Sequence, residues 1–300
     1  MAWVWLAIAF GLGLLFGSFL NVCIARLPYH ESIVKPGSHC PGCLFPIRWY
    51  DNIPLLSFVL LRGRCRKCFQ RIAWRYPLVE LATALWFAWT AFAYLHATAT
   101  SAAPLASVSY AGTAIFGWLL IGLVVMDWET LILPDSFTLT GAAIGFFLVC
   151  IQSMFLPSGF DDIQLHQKAP ISSFGTGDAT GNVFLTGPEH LVFGRLLAIF
   201  AVAGILWFFS FLYRNLRGRE GMGRGDIKLM AMIAAFLGFW PAILSLFLGV
   251  IACAAYGVVL LVRKRAGAAS KLAFGSFLAG AALFVAIFGE RVLNWYMQLL

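Results

Sequence analysis

Ala114-Ile115-Phe116-Gly117-Trp118-Leu119-Leu120-Ile121-Gly122-Leu123-Val124-Val125-Met126-Asp127 decides how this chain is read. An apolar run without a single charge ends on a carboxylate. Taken from residue 109, the run approaches the length of a bilayer-spanning helix, about 20 mostly apolar residues. The pattern repeats along the chain. Segments 2–25, 77–97, 109–126, 136–156, 191–213, 227–243, 244–262 and 272–290 read as eight candidate spans. The division between the sixth and seventh rests on Gly238-Phe239-Trp240-Pro241.

Composition agrees with this class. The chain is 61% hydrophobic and 11% charged, with a mean hydropathy of +0.86. A soluble domain of this length has no use for that much apolar surface, so the expected fold is an all-α polytopic membrane protein. The first span lacks a basic leader and a clear small-residue cleavage site, and it reads as a retained helix.

Charge sets an expected orientation. Lys and Arg number 21 against 13 Asp and Glu, a net charge of +8. They concentrate in 26–76, 214–228 and 263–271, and only Lys168, Arg195 and Arg291 lie elsewhere. These clusters follow spans 1, 5 and 7, which places them on the cytoplasmic face by the positive-inside rule, with both termini outside. Asp127 to Asp135 follow span 3 and fall on the same face. The positive charge is therefore a topology signal and not the footprint of a nucleic-acid partner. Segment 157–190, rich in Gly, Ser, Thr, Asp and Pro, reads as an outer loop.

The segment 26–76 carries two Cys-x-x-Cys pairs, Cys40-Pro41-Gly42-Cys43 and Cys65-Arg66-Lys67-Cys68, separated by about 21 residues. Each pair can offer two thiolates from a tight knuckle, and two knuckles complete a tetrahedral zinc site. Such a closed site leaves no open position for catalysis. Its expected role is structural, folding a segment with little core of its own. Arg64, Arg66 and Lys67 are available to offset thiolate charge. The alternative, redox thiols or disulfides, is disfavoured on a cytoplasmic face. Cys23, Cys150 and Cys253 stand singly in apolar spans and read as packing residues. The five histidines show no ligand spacing.

Asp127 and Asp226 are the candidate functional carboxylates. Each adjoins an apolar span, where an ionisable group is costly unless partnered. Two carboxylates brought together can share one proton, one acting as base and the other as acid. Each also has a plainer reading. Asp127 can pair with a basic loop residue. Asp226, in Gly223-Arg224-Gly225-Asp226-Ile227-Lys228, can sit at a helix start, with Lys228 folding back to it. Asp135, after Pro134, fits a helix cap or first turn. Glu129 reads as a solvated charge. Gly175-Thr176-Gly177-Asp178 repeats the Gly-x-Gly-Asp pattern in the outer loop and reads as chance.

Several blocks together resemble the bacterial type IV prepilin peptidases. They are Gly17-Ser18-Phe19-Leu20-Asn21-Val22 with Arg26-Leu27-Pro28, the paired Cys-x-x-Cys motifs, Arg75-Tyr76-Pro77-Leu78-Val79-Glu80-Leu81, Asp127 through Leu133-Pro134-Asp135, and Glu220-Gly221-Met222-Gly223-Arg224-Gly225-Asp226-Ile227-Lys228. They occur in the family's order. Phe274-Gly275-Ser276 departs from the family's usual Phe-Gly-Pro, and the 157–190 insert is longer than the compact loop expected there. Neither departure is expected to touch the active site.

The resemblance implies an inner-membrane aspartic endopeptidase of the Gly-x-Gly-Asp type, with its active site facing the cytoplasm. Such enzymes remove the basic leader of prepilins or pseudopilins after a glycine and methylate the new N-terminal amine from S-adenosylmethionine. It assigns catalysis to Asp127 and Asp226. It also implies 1–25 as a first transmembrane helix, 26–76 as a cytoplasmic zinc segment bound by Cys40, Cys43, Cys65 and Cys68, and 77–300 as the membrane peptidase domain. Asn21, Arg26, Glu80 and Lys228 become candidate contributors to methyl transfer, or equally polar ties between helix ends. The expected partners are the pilin substrates and membrane lipid. Two other classes stay open on residues alone: an ion-coupled transporter using its carboxylates, and a non-catalytic zinc-bearing scaffold.

Overall fold

In hydrocarbon a backbone must satisfy its own polar groups, so long apolar runs without strand partners become helices. A computed structural model of the protein describes residues 2–97, 103–154, 188–218, 222–263 and 272–299. Among these the helices are α1 (Ala2–Arg26), α2 (Leu56–Leu60), α3 (Arg75–Ala97), α4 (Ala103–Thr130), α5 (Asp135–Met154), α6 (Pro188–Arg217), α7 (Arg224–Leu237), α8 (Phe239–Val262) and α9 (Phe274–Leu299). The chain divides into two compact units, Met1–Leu95 and His96–Leu300. The boundary falls near the end of α3, so 77–95 packs with the N-terminal unit.

Among the described residues six helices are long and apolar enough to cross a membrane, and Phe274–Gly289 is a shorter apolar helix. The eight expected spans thus become six to seven. The difference lies at α7. It has 14 residues and ends at Gly238, whose φ of 87° a glycine adopts without strain. At a rise of about 1.5 Å per residue α7 covers about 21 Å, short of the roughly 30 Å of a bilayer core. The break falls at Gly238 rather than 243/244, and α8 takes up the residues from Phe239 onward. Most of the segment read as an outer loop, along with Lys168, Asp178 and Glu220, lies outside the described residues.

In the N-terminal unit α1 and α3 meet through small residues. A Cβ on Gly13 would stand 2.6 Å from the Ala84 Cα, and one on Gly17 would stand 2.7 Å from the Glu80 Cα. Glycines four apart on one helix face allow this backbone approach, which replaces the hydrophobic drive that lipid abolishes. Phe16 stacks on Phe87 beside the contact, with centroids 5.6 Å apart.

The C-terminal unit is built around α7. Leu229, Met230 and the whole of Met232–Leu237 are buried. Gly141 of α5 faces Met232, and Gly145 faces Phe236 with room for no Cβ. α5 and α7 therefore run parallel. Phe116 of α4 stacks on Phe236 at 4.7 Å. α9 packs along both α8 and α4. Arg195, near the start of α6 and almost fully buried, donates from Nη1 to the Phe236 carbonyl at 3.1 Å. A cation thus holds the negative C-terminal end of α7. The opposite end of α7 begins beside the turn 131–134 and the start of α9.

Candidate active site

Asp127 closes the last full turn of α4. Leu131 follows in the left-handed region (φ 56°), its N–H bonded to the Asp127 carbonyl at 2.9 Å, and this reverses the chain. Leu133 then wedges between two helix starts. A Cβ on Gly225 would lie 3.1 Å from the Leu133 Cβ, and one on Gly275 would lie 2.8 Å from its Cδ1. Glycine at these two positions lets α7 and α9 close on the α4–α5 turn.

The result is that Asp127 and Asp226, from α4 and α7, lie close enough for the charge of one to act on the other. Their environments differ. Asp127 is 5% exposed, and Asp226 is partly open. Asp226 is the third residue of α7, and its Oδ2 lies 3.1 Å from where a Cβ on Gly223 would stand, so the carboxylate faces the N-cap residue. This reach back to the N-cap residue is half of a capping box. Asp127 is met by α9. The Ser276 N–H donates to its Oδ2 at 2.6 Å, and the Ser276 Oγ lies 3.1 Å from the same oxygen while donating to the Val124 carbonyl at 2.8 Å. A Cβ on Gly275 would stand 3.1 Å from the Asp127 Cγ and Oδ2, so this glycine also closes on the carboxylate.

Sequence reasoning missed Ser276. Phe274-Gly275-Ser276 was expected to stand clear of the site, yet it forms the first turn of α9 against Asp127. The available signal was an apolar helix opening on Gly-Ser, whose first-turn N–H groups need acceptors from somewhere. Cys253, expected only to pack, lies within electrostatic range of both aspartates. Trp128, Tyr256 and Phe277 cluster beside Asp127 with centroids 5.4–6.3 Å apart and tie α4, α8 and α9 together.

Lys228 does not fold back to Asp226. Its Nζ pairs with Asp135 Oδ1 at 2.6 Å, linking α7 to the first turn of α5. Glu129 is exposed.

In the N-terminal unit the four paired cysteines converge. Their sulfur atoms all lie within 4.8 Å of one another. The two knuckles repeat one design. Cys40 N–H donates to the Phe45 carbonyl and Leu44 N–H to the Cys40 carbonyl, and Cys65 with Gln70 and Phe69 repeats the pattern. Leu44 and Phe69 both have positive φ, and isolated bridges His39–Pro46 and Arg64–Arg71 close the knuckles. Cys40 and Cys68 sulfurs are 3.7 Å apart. That is too long for a disulfide and matches the roughly 3.8 Å between thiolates on a tetrahedral zinc with Zn–S near 2.3 Å. Backbone N–H groups of Cys68 and Lys67 pull the Cys65 thiol down to about 6, whereas Cys68, although its backbone bond to Gln70 lowers it, is pushed up to about 11 by desolvation and the neighbouring thiols, so the cluster without metal shares its protons. The donor set fits zinc. Of the basic residues expected to offset the thiolates, Arg66 instead pairs with Asp51 at 2.6 Å, and Lys67 lies over the Phe45 ring at 4.2 Å.

The other candidate polar residues of this unit make hydrogen bonds within it. Asn21 donates to the Tyr76 carbonyl at 3.0 Å, and Arg26 donates to the Ser32 and Pro36 carbonyls at 2.9 and 2.7 Å. Glu80 accepts from the Leu55 N–H at 2.9 Å. Together they hold the polar segment to the ends of α1 and α3.

Comparison with known proteins is consistent across the chain. Residues 12–94 match the bacterial peptidase A24 N-terminal domain, and residues 171–258 match the type IV leader peptidase family. A prepilin leader peptidase/N-methyltransferase of Aeromonas salmonicida is 30% identical, covering 99% of this chain and 96% of its own length. Those of Pseudomonas aeruginosa and Burkholderia pseudomallei are 30% and 32% identical, covering 96% and 95% of this chain and 91% and 85% of their own. No solved structure matches the chain significantly. With relatives aligned over nearly its whole length and both domain families in order, the chain belongs to the type IV leader peptidase family, the bacterial prepilin leader peptidase/N-methyltransferases.

Proposed function

We propose that this protein cleaves the basic leader from type IV prepilins or pseudopilins and methylates the new N-terminus, with Asp127 and Asp226 as the catalytic pair. The observation that carries this reading is the convergence of two carboxylates from α4 and α7 at one end of the C-terminal unit, where Gly225 beside Asp226 and Gly275 beside Asp127 both close on Leu133. A multi-pass membrane protein with acid–base groups at a helix end suits a scissile bond that borders a hydrophobic segment.

In the cleavage step one carboxylate takes a proton from water as its oxygen bonds to the scissile carbonyl carbon. The other gives its proton to the carbonyl oxygen, leaving a neutral tetrahedral centre. The amide nitrogen then receives the first proton, the C–N bond breaks, and the leader departs as a carboxylic acid. The proton released from the centre restores the second aspartate. S-Adenosylmethionine, when bound, supplies the methyl group for the freed amine.

The basic clusters support a cytoplasmic position for this end of the unit. Segment 26–76 is read as a zinc-held element bound by Cys40, Cys43, Cys65 and Cys68, with 1–25 and 77–300 as the membrane parts. The decisive experiment incubates purified protein with a prepilin and S-adenosylmethionine and reads the product N-terminus by mass spectrometry. A leader-free, singly methylated chain is expected. An unprocessed prepilin in the presence of folded protein overturns the reading.

A further inference from the structure

Two neighbouring carboxylates sharing one proton must decide which holds it, and the hydrogen-bond donors around this pair are unequal. Asp127 receives the Ser276 N–H at 2.6 Å from the first turn of α9, with the Ser276 hydroxyl 3.1 Å from the same oxygen. Asp226 faces the backbone of Gly223, and no donor as short meets it among the described residues. Backbone N–H groups cannot accept a proton bond, so they favour a carboxylate over a carboxylic acid. The positive end of α9 favours charge on Asp127 as that of α7 does on Asp226, so the difference lies in the hydrogen-bond donors. Burial opposes the charge of both carboxylates, and the Ser276 N–H at 2.6 Å offsets more of that cost at Asp127 than the backbone of Gly223 does at Asp226.

We propose that Ser276 is a positioning residue that makes Asp127 the ionised, water-activating member of the pair and leaves the shared proton on Asp226. This rests on the catalytic reading of the two aspartates and adds the direction of proton flow. Asp127 takes the water proton, and Asp226 protonates the carbonyl oxygen. The ionisable groups beside Asp127 on packed helices are Asp226 of α7 and Cys253 and Tyr256 of α8. On α7, Lys228 is engaged by Asp135 of α5. The first turns of α9, Phe274 to Gly280, hold no ionisable side chain.

The test is the rate–pH profile of prepilin cleavage, as kcat/KM, for the full-length wild type and for Ser276→Ala, Ser276→Pro and Ser276→Thr. Alanine removes the hydroxyl. Proline also removes the N–H, at a first-turn position where a helix tolerates it. Asp127→Asn and Asp226→Asn are measured in parallel. Loss of the donors should move the acid limb to higher pH, by about one unit for proline, the size of one charge-assisted hydrogen bond, and by less for alanine. The alkaline limb should stay in place, and threonine should restore the wild-type profile. If Ser276→Pro is inactive, Ser276→Ala decides alone. A moved alkaline limb assigns the proton to Asp127 and overturns the proposal, as does movement of both limbs or of neither. Full cleavage by either asparagine variant overturns the catalytic pair itself, whereas inactive asparagine variants with an unmoved Ser276 profile refute only this inference.

Discussion

Gly275→Ala isolates how tightly α9 closes on the aspartate pair. The added methyl would sit 2.8 Å from Leu133 Cδ1 and 3.1 Å from the Asp127 Cγ and Oδ2. Apolar carbons rest about 3.5–4.0 Å apart, so Leu133 must give by about 1 Å or α9 must lift away. Overpacking of this kind destabilises by about 1–3 kcal/mol. If α9 lifts, Asp127 loses its donors and the two carboxylates drift from register. Misplacement near 1 Å at a reacting group lowers activity by about 100-fold, so a fall of about 10- to 100-fold in kcat/KM is expected. Gly280→Ala is the matched control on the same helix. Nothing lies within 4 Å of its added methyl, and a helical alanine is up to about 1 kcal/mol more favourable than glycine. Both variants are assayed by prepilin cleavage followed by mass spectrometry, with thermal unfolding in detergent alongside. Wild-type kcat/KM for Gly275→Ala, or an equal loss in Gly280→Ala, would refute the reasoning.

Asp127→Asn and Asp226→Asn should each abolish leader cleavage while leaving the unfolding temperature near wild type, because the amide keeps the shape but cannot cycle a proton. Methylation of a supplied mature pilin should persist in both, read by mass spectrometry. Purified protein kept reduced should hold about one zinc per chain in a four-sulfur shell, measured by elemental analysis and X-ray absorption. Cys43→Ser should lower that content and expose segment 26–76 to protease before α4–α9 unfold. Gly17→Val should destabilise the N-terminal unit by more than about 1–3 kcal/mol, since its Cβ meets the Glu80 backbone at 2.7 Å and backbone cannot yield as a side chain does. Limited proteolysis of 26–76 in detergent would reveal it.

The all-α membrane class was legible without a structure because it depends on local composition. An apolar run such as 114–126 has one way to satisfy its backbone in lipid, whatever lies beside it. The two Cys-x-x-Cys pairs were legible for a similar reason, since a knuckle is a short local turn and the ligand chemistry needs only four thiolates. Asp127 and Asp226 stood out because a carboxylate beside an apolar span requires an explanation. What surrounds them did not stand out. Ser276 meets Asp127 across 149 residues, and Lys228 chose Asp135 across 93 instead of its near neighbour Asp226. The end of α7 at Gly238 shortened an expected span, and Arg195 emerged as the cation that holds its far end. These outcomes depend on how each helix is rotated and slid against the next. In a membrane protein lipid-facing and buried faces are equally apolar, so the sequence pattern carries little information about that rotation. Close packing at Gly141, Gly145, Gly225 and Gly275 sets it, and only the tertiary structure brings those contacts together around the two carboxylates.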